Sequence, residues 1–181
     1  MTLREELIKL AFSLLGITLL GGAFTAFWTS RQKRREIEEM ELKSFYDHYG
    51  QLLAACRLWN AAKSKKISLP GEVTRYELLK QSSEAESALE GMLLKLASER
   101  VLTSDQLSRL GRFRQGYQTV REAIRDDKQV QWDSSQAGPY LDFKEGATLF
   151  ASLLKKCIWT RPPSQELARK AVCEITHNKY E

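Results

Sequence analysis

Cysteine, histidine and proline are scarce in this 181-residue sequence, and each scarcity narrows what it can be. The three cysteines, Cys56, Cys157 and Cys173, lie far apart, each on or beside an apolar helical face. An odd number at such spacings makes no disulfide framework and fits a reducing compartment. Two histidines, His48 and His177, argue against a Cys/His zinc cluster, and no cofactor is expected. The first of four prolines is Pro70, so nothing of that kind interrupts a helix upstream of it.

Also missing are strand-like alternation, internal repeats, low-complexity tracts and any catalytic signature. The stretch from Gly111 to Gly116 has neither a P-loop lysine nor a strand before it. Glu84, Glu86 and Glu90 put carboxylates on one helix, with Glu86 and Glu90 four apart, but lack the Glu-x-x-His partners of a di-metal bundle. No enzyme is expected.

Charge is mildly one-sided. Arg4 and Lys9 balance Glu5 and Glu6, so the net +5 lies wholly beyond residue 30. That surplus suits an anionic partner such as lipid headgroups or a nucleotide, and is too small to make nucleic acid the default.

What the sequence does have is Leu10 to Ser30, a run without a charged residue. At 1.5 Å per residue its helix would be about 31 Å long, close to the thickness of a bilayer core. Trp28 stands at the headgroup end, and Arg31, Lys33, Arg34 and Arg35 follow as a basic stop. A cleaved signal peptide is the alternative, since Gly21-Gly22-Ala23 resembles a processing site. The run nevertheless continues through Phe24, Ala26, Phe27 and Trp28 into the basic cluster, as an anchor does. The positive bias puts the C-terminal domain in the cytoplasm and the N-terminus outside, at an inner or plasma membrane.

Within this span Thr18, Gly22 and Ala26, flanked by Gly21 and Thr25, make a small-residue face through which transmembrane helices can approach closely. Residues 31–41 are charged nearly all round, with Arg34 and Arg35 four residues before Glu38 and Glu39, which predicts a solvated helical stalk. With no proline until Pro70, the membrane helix is expected to run on into the domain, with Gly50 its weakest point.

Beyond the stalk the periodicity is helical throughout. Leu42, Phe45, Tyr49, Leu52, Cys56 and Trp59 step by three and four. A second helix from about Glu72 to Arg100 turns Tyr76, Leu79, Ala85, Leu89, Met92, Leu93 and Leu96 inward. A third opens on the capping box Thr103 to Gln106 and carries Leu107, Leu110, Phe113, Tyr117, Val120 and Ile124. A loop from Asp126 to Gly138 follows, long enough to be a binding element. Pro139 starts a fourth helix with Phe143, Ala147, Phe150, Leu154 and Cys157, and a fifth carries Leu167, Ala171, Val172 and Ile175. The expected protein is all-α, with a transmembrane helix (1–30), a stalk (31–41) and a cytosolic bundle (42–181) of about five helices.

Two constellations invite a ligand. Arg114, Arg121, Arg125 and Lys128 share one side of the third helix, with Arg109 and Arg112 near by. Arginine forks bind phosphate and carboxylate, so this stripe and Trp132 in the loop are the candidate anion site. The plain alternative is a solvated face paired with Glu122, Asp126 and the acidic second helix. Phe45, Tyr46, Tyr49 and Trp59, with His48 and Arg57, resemble a stacking platform, but most of them lie on the heptad face, where core packing is the simpler reading.

The expected function is therefore a non-enzymatic single-pass membrane protein. Its cytosolic bundle would bind a partner or a second copy, and its spans would pack through the small face. Some bacterial self-killing and antiviral effectors share this plan, a likeness of architecture only. The alternative is a membrane-anchored receptor for an anionic small molecule such as a nucleotide signal.

Overall fold

The computed structural model describes the backbone of residues 3–64, 71–130, 138–155 and 162–177, with side chains for all of these except 3–17, 19, 20 and 71–73. These residues form five helices and no strand: α1 (Leu3–Lys63), α2 (Gly71–Glu99), α3 (Ser104–Arg125), α4 (Pro139–Lys155) and α5 (Gln165–His177). The all-α expectation holds, and α1 passes through Gly50 without a break. The chain divides into two compact units, Met1–Met40 and Glu41–Glu181, with α1 contributing to both.

In the first unit Gly21, Gly22, Phe24, Phe27 and Trp28 are exposed. Among the described residues no helix is long and apolar enough to cross a membrane. The run Leu10–Ser30 falls partly outside that set: of its side chains, only Thr18 and residues 21–30 are described. The expected stalk pair between Arg35 and Glu39 does not form, and both side chains stand in solvent, where such a pair gains little.

The second unit is built on α3, which packs against α4, α2 and α5. Its start is fixed by the predicted capping box: Thr103 Oγ1 accepts from the Gln106 amide at 3.3 Å, and Gln106 Oε1 accepts from the Thr103 amide at 2.9 Å. Its end is a Schellman turn, in which the Lys128 amide donates to the Ala123 carbonyl at 2.8 Å and the Asp127 amide to Ile124 at 3.4 Å. The turn places Asp127 at φ 59°, a left-handed position that an aspartate tolerates better than most residues. Arg75 of α2 then donates to the carbonyls of Ile124 and Arg125 in the last turn, where the helix itself supplies too few donors.

The segment after α3 is fastened to the end of α1. Trp59 Nε1 donates to the Lys128 carbonyl at 2.6 Å. Asn60 and Val130 exchange two hydrogen bonds, 2.9 and 3.2 Å long, and Val130 is buried. The first residues of the expected binding loop are thus part of the fold, while Trp132 and the rest of 131–137 lie outside the described residues.

The crossing of α3 and α4 is close because two glycines permit it. A Cβ on Gly116 would stand 2.3 Å from Phe143 Cδ2, and one on Gly146 would stand 2.6 Å from Phe113 Cβ and 2.8 Å from the Arg109 carbonyl oxygen. Each glycine faces the phenylalanine of the other helix, and the two rings stack with centroids 5.1 Å apart. Phe45, Tyr49, Tyr117 and Phe150 extend this into one aromatic core, with Phe45 and Phe150 edge-to-face at 5.0 Å. Burial pushes the Cys56 thiol up to about 11, so it is a core side chain rather than a nucleophile.

Two inward assignments are corrected. Tyr76 is exposed, because α2 buries the stripe Leu78, Ser82, Ala85, Leu89, Leu93 and Leu96, and two residues from Leu78 is more than half a turn away. Leu167 is exposed because α5 buries only Ala171 and Ile175, and each four-residue step back drifts about 40° off that narrow stripe. Cys173, beside this stripe in the sequence, is two residues from both Ala171 and Ile175, about 200° round the helix, and is exposed.

Candidate functional site

The arginine stripe of α3 is placed first by what its members already hold. Arg109 pairs with Asp105 at 3.1 Å, Arg112 with Asp142 of α4 at 3.3 Å, and Arg125 with Asp126 at 2.8 Å. Arg114 Nε sits between the two carboxylate oxygens of Glu90, at 3.0 and 3.1 Å, and its Nη1 donates to the Thr176 carbonyl in the last turn of α5 at 3.1 Å. Arg121 Nη1 meets Glu86 Oε1 at 3.2 Å. Each of the five arginines therefore holds a carboxylate of this chain. Lys128 is exposed, and its carbonyl receives Trp59.

The fold brings together two features that looked separate in the sequence. Glu86 and Glu90, four apart on α2, face Arg121 and Arg114, seven apart on α3. Antiparallel neighbours at these spacings form a ladder with alternating charge, and Tyr117 adds a phenol that donates to Glu90. Burial and this hydrogen bond push the Tyr117 phenol far above its usual range, so it stays a donor. The ladder lashes α2, α3 and the end of α5 together.

Glu86 is its strained member. It is 7% exposed, and its Oε2, like Arg121 Nε, is buried without a hydrogen-bond partner. Burial raises its carboxyl above the ordinary glutamate value; Arg121 and Arg114 pull it down, while Glu90 and Glu122 push it up. A raised value in the folded state means stability that is complete below the ordinary glutamate pKa and lost as pH rises through the raised one. Glu86→Gln removes this dependence. Urea melts from pH 4 to 8 should show wild type losing stability relative to the variant as pH rises, and parallel curves would refute the assignment.

The membrane-facing candidates lie in the first unit. Gly21 and Gly22 have nothing within 4 Å of where a Cβ would stand. Thr25 Oγ1 donates to the Gly21 carbonyl at 2.8 Å, satisfying its hydroxyl within the helix. Thr18 and Ala26 are exposed as well. Trp28 stacks on Phe24 with centroids 6.2 Å apart, and with Arg31, Gln32 and Arg35 it lines a shallow recess of about 150 Å³. Lys33 and Arg34 are exposed beside it.

Among the described residues no group of three or more His, Cys, Asp or Glu side chains is placed to hold a metal. Of the aromatic platform, Phe45 and Trp59 are core residues, Tyr49 is half-buried and only Tyr46 stands in solvent. Sequence reasoning missed the reciprocal glycine–phenylalanine contacts and the clamp by Arg75. A glycine three residues after a phenylalanine, as in Phe113/Gly116 and Phe143/Gly146, had no distinguishing local pattern. No family model matches this chain, and comparison with curated proteins and with solved structures gives no match either.

Proposed function

We propose that the chain is a non-enzymatic single-pass membrane protein. Its N-terminal helix anchors it with the helical domain on the cytoplasmic side, and self-association or a partner protein acts through these two parts. A membrane-acting effector is the fullest form of this reading. The observation that carries it is the uncharged run Leu10–Ser30, whose described end exposes Phe24 by 67%, Phe27 by 56% and Trp28 by 52% just before Arg31, Lys33, Arg34 and Arg35. Apolar surface of this kind is stable in lipid or against another helix and costly in water.

Two measurements test it. Alkaline carbonate should leave the protein in the membrane pellet, and its release would overturn the anchor. Gly22→Leu should weaken the oligomer of the full chain in detergent by about tenfold or more, since bulk on a small-residue face blocks close approach. Among the described residues, nothing beyond its chain neighbours and its own helix backbone comes within 4 Å of that Cβ, so the change reports on contacts between copies. An unchanged oligomer would remove the small face from the reading. In the alternative reading, the same anchored protein is a receptor for an anionic small molecule. Its α3 arginines would then exchange internal carboxylates for the ligand, which Arg114 and Arg121, held by Glu90 and Glu86, are least free to do.

A further inference from the structure

We propose that a groove between α1 and α4 binds an aromatic phosphate of mononucleotide size. The proposal takes up the receptor reading but moves its site away from the α3 arginines. The groove encloses about 400 Å³, within the usual span of small-molecule sites. Its floor is low because Ala147 and Ala151 of α4 face it. One wall is aromatic. Tyr49 is held rigidly, stacked on Phe143 at 5.5 Å and on Phe45 at 5.8 Å, and Tyr46, 53% exposed, leans on Phe45 with centroids 5.4 Å apart. A fixed ring beside an exposed one offers a planar ligand a stacking surface that has already been ordered.

The charges in the groove have one sign. Lys144 and Lys155 line it, and among the described residues no carboxylate lines it and neither lysine has an ion pair. In this they differ from the α3 arginines, each of which has a carboxylate. The Lys144 ammonium rests over the Tyr140 ring, 4.5 Å from its centroid, a contact that an incoming phosphate replaces with a stronger one. Between the lysines, Thr148 Oγ1 donates to the Lys144 carbonyl at 2.9 Å and Ser152 Oγ to that of Leu149 at 2.7 Å. Each hydroxyl has spent its proton and presents its oxygen as an acceptor, which suits the hydroxyls of a sugar. Rings of α1 for a base, and acceptors for a sugar and cations for a phosphate on one face of α4, thus line the same groove.

The test is calorimetric titration of the full chain in uncharged detergent with AMP, adenosine and inorganic phosphate. AMP should bind, more tightly than either fragment, and more weakly as salt rises. The exposed double reversal Lys144→Glu/Lys155→Glu should weaken AMP at least tenfold, and Ser152→Trp, which fills the groove from an exposed position, should abolish binding with the melting temperature retained. The proposal is overturned if AMP gives no heat, if phosphate alone binds equally well, or if both variants bind like wild type. Repeating the titration on Gly22→Leu separates the two ideas: AMP binding that survives loss of the oligomer belongs to the groove, whatever becomes of the membrane reading.

Discussion

Gly146→Val is expected to cost the helical domain about 3 kcal/mol, the upper end for forcing bulk into a packed interior. For a domain near 150 residues that lowers the melting temperature by roughly 10 °C. The reason is what the new atoms meet. A Cβ at 146 would lie 2.8 Å from the Arg109 carbonyl oxygen and 3.3 Å from Phe113 Cα, both backbone atoms of α3, so relief requires the helices to part. Parting them opens the stack of Phe113 on Phe143 at the centre of the aromatic core. Gly116→Ala should cost less, about 1–2 kcal/mol, because the atoms nearest its Cβ belong to the Phe143 side chain, which can shift at the expense of its own stacking. Gly91→Ala has the opposite sign. Nothing lies within 4 Å of that site on exposed α2, so the alanine should add about 0.5–1 kcal/mol of helix stability. Circular-dichroism melts of the three variants give the order directly. A Gly146→Val protein that melts with wild type would mean that α3 and α4 are not in contact there.

Much of this fold was legible because helices write themselves as periodicity. The α3 face from Leu107 to Ile124 is buried residue for residue as its spacing predicts, and the Thr103 capping box forms as the sequence pattern requires. The errors fall where periodicity is ambiguous: Tyr76 at the edge of a stripe, and Leu167 on a short helix with a narrow buried face. The site was less legible because its meaning is relational. Glu86 and Glu90 read as two acids on one helix and Arg114 and Arg121 as two bases on another; only the antiparallel crossing of α2 and α3 brings each pair to the other. The groove shows the same limit. Lys144, Thr148, Ser152 and Lys155 are an unremarkable polar face of α4 until α1 sets Tyr46 and Tyr49 opposite them.

Glu90→Ala is the second large effect expected, about 2–3 kcal/mol, and it separates a structural ladder from an arginine ligand site. The change leaves two donors without their acceptor: Arg114, whose side chain is 18% exposed, and Tyr117, which is fully buried. Removing one partner of a fully buried pair costs roughly 3–5 kcal/mol, and the partial exposure of this pair lowers that figure. Glu90→Gln keeps a carbonyl acceptor for one of the two and should cost about half as much. Arg114→Met in the Glu90→Ala background should restore part of the loss, since an apolar side chain removes the charge that Glu90 had balanced and fills the space. The urea-melt cycle over the two sites should then give a coupling of about 1–2 kcal/mol. In Glu90→Ala, Arg114 has lost the Glu90 carboxylate, so added phosphate should raise the melting temperature of that variant more than that of wild type, beyond a general salt effect matched with chloride. Equal stabilisation of both proteins by phosphate would mean that the arginines accept an outside anion even with Glu90 in place, and would return the α3 stripe to first rank as a ligand site.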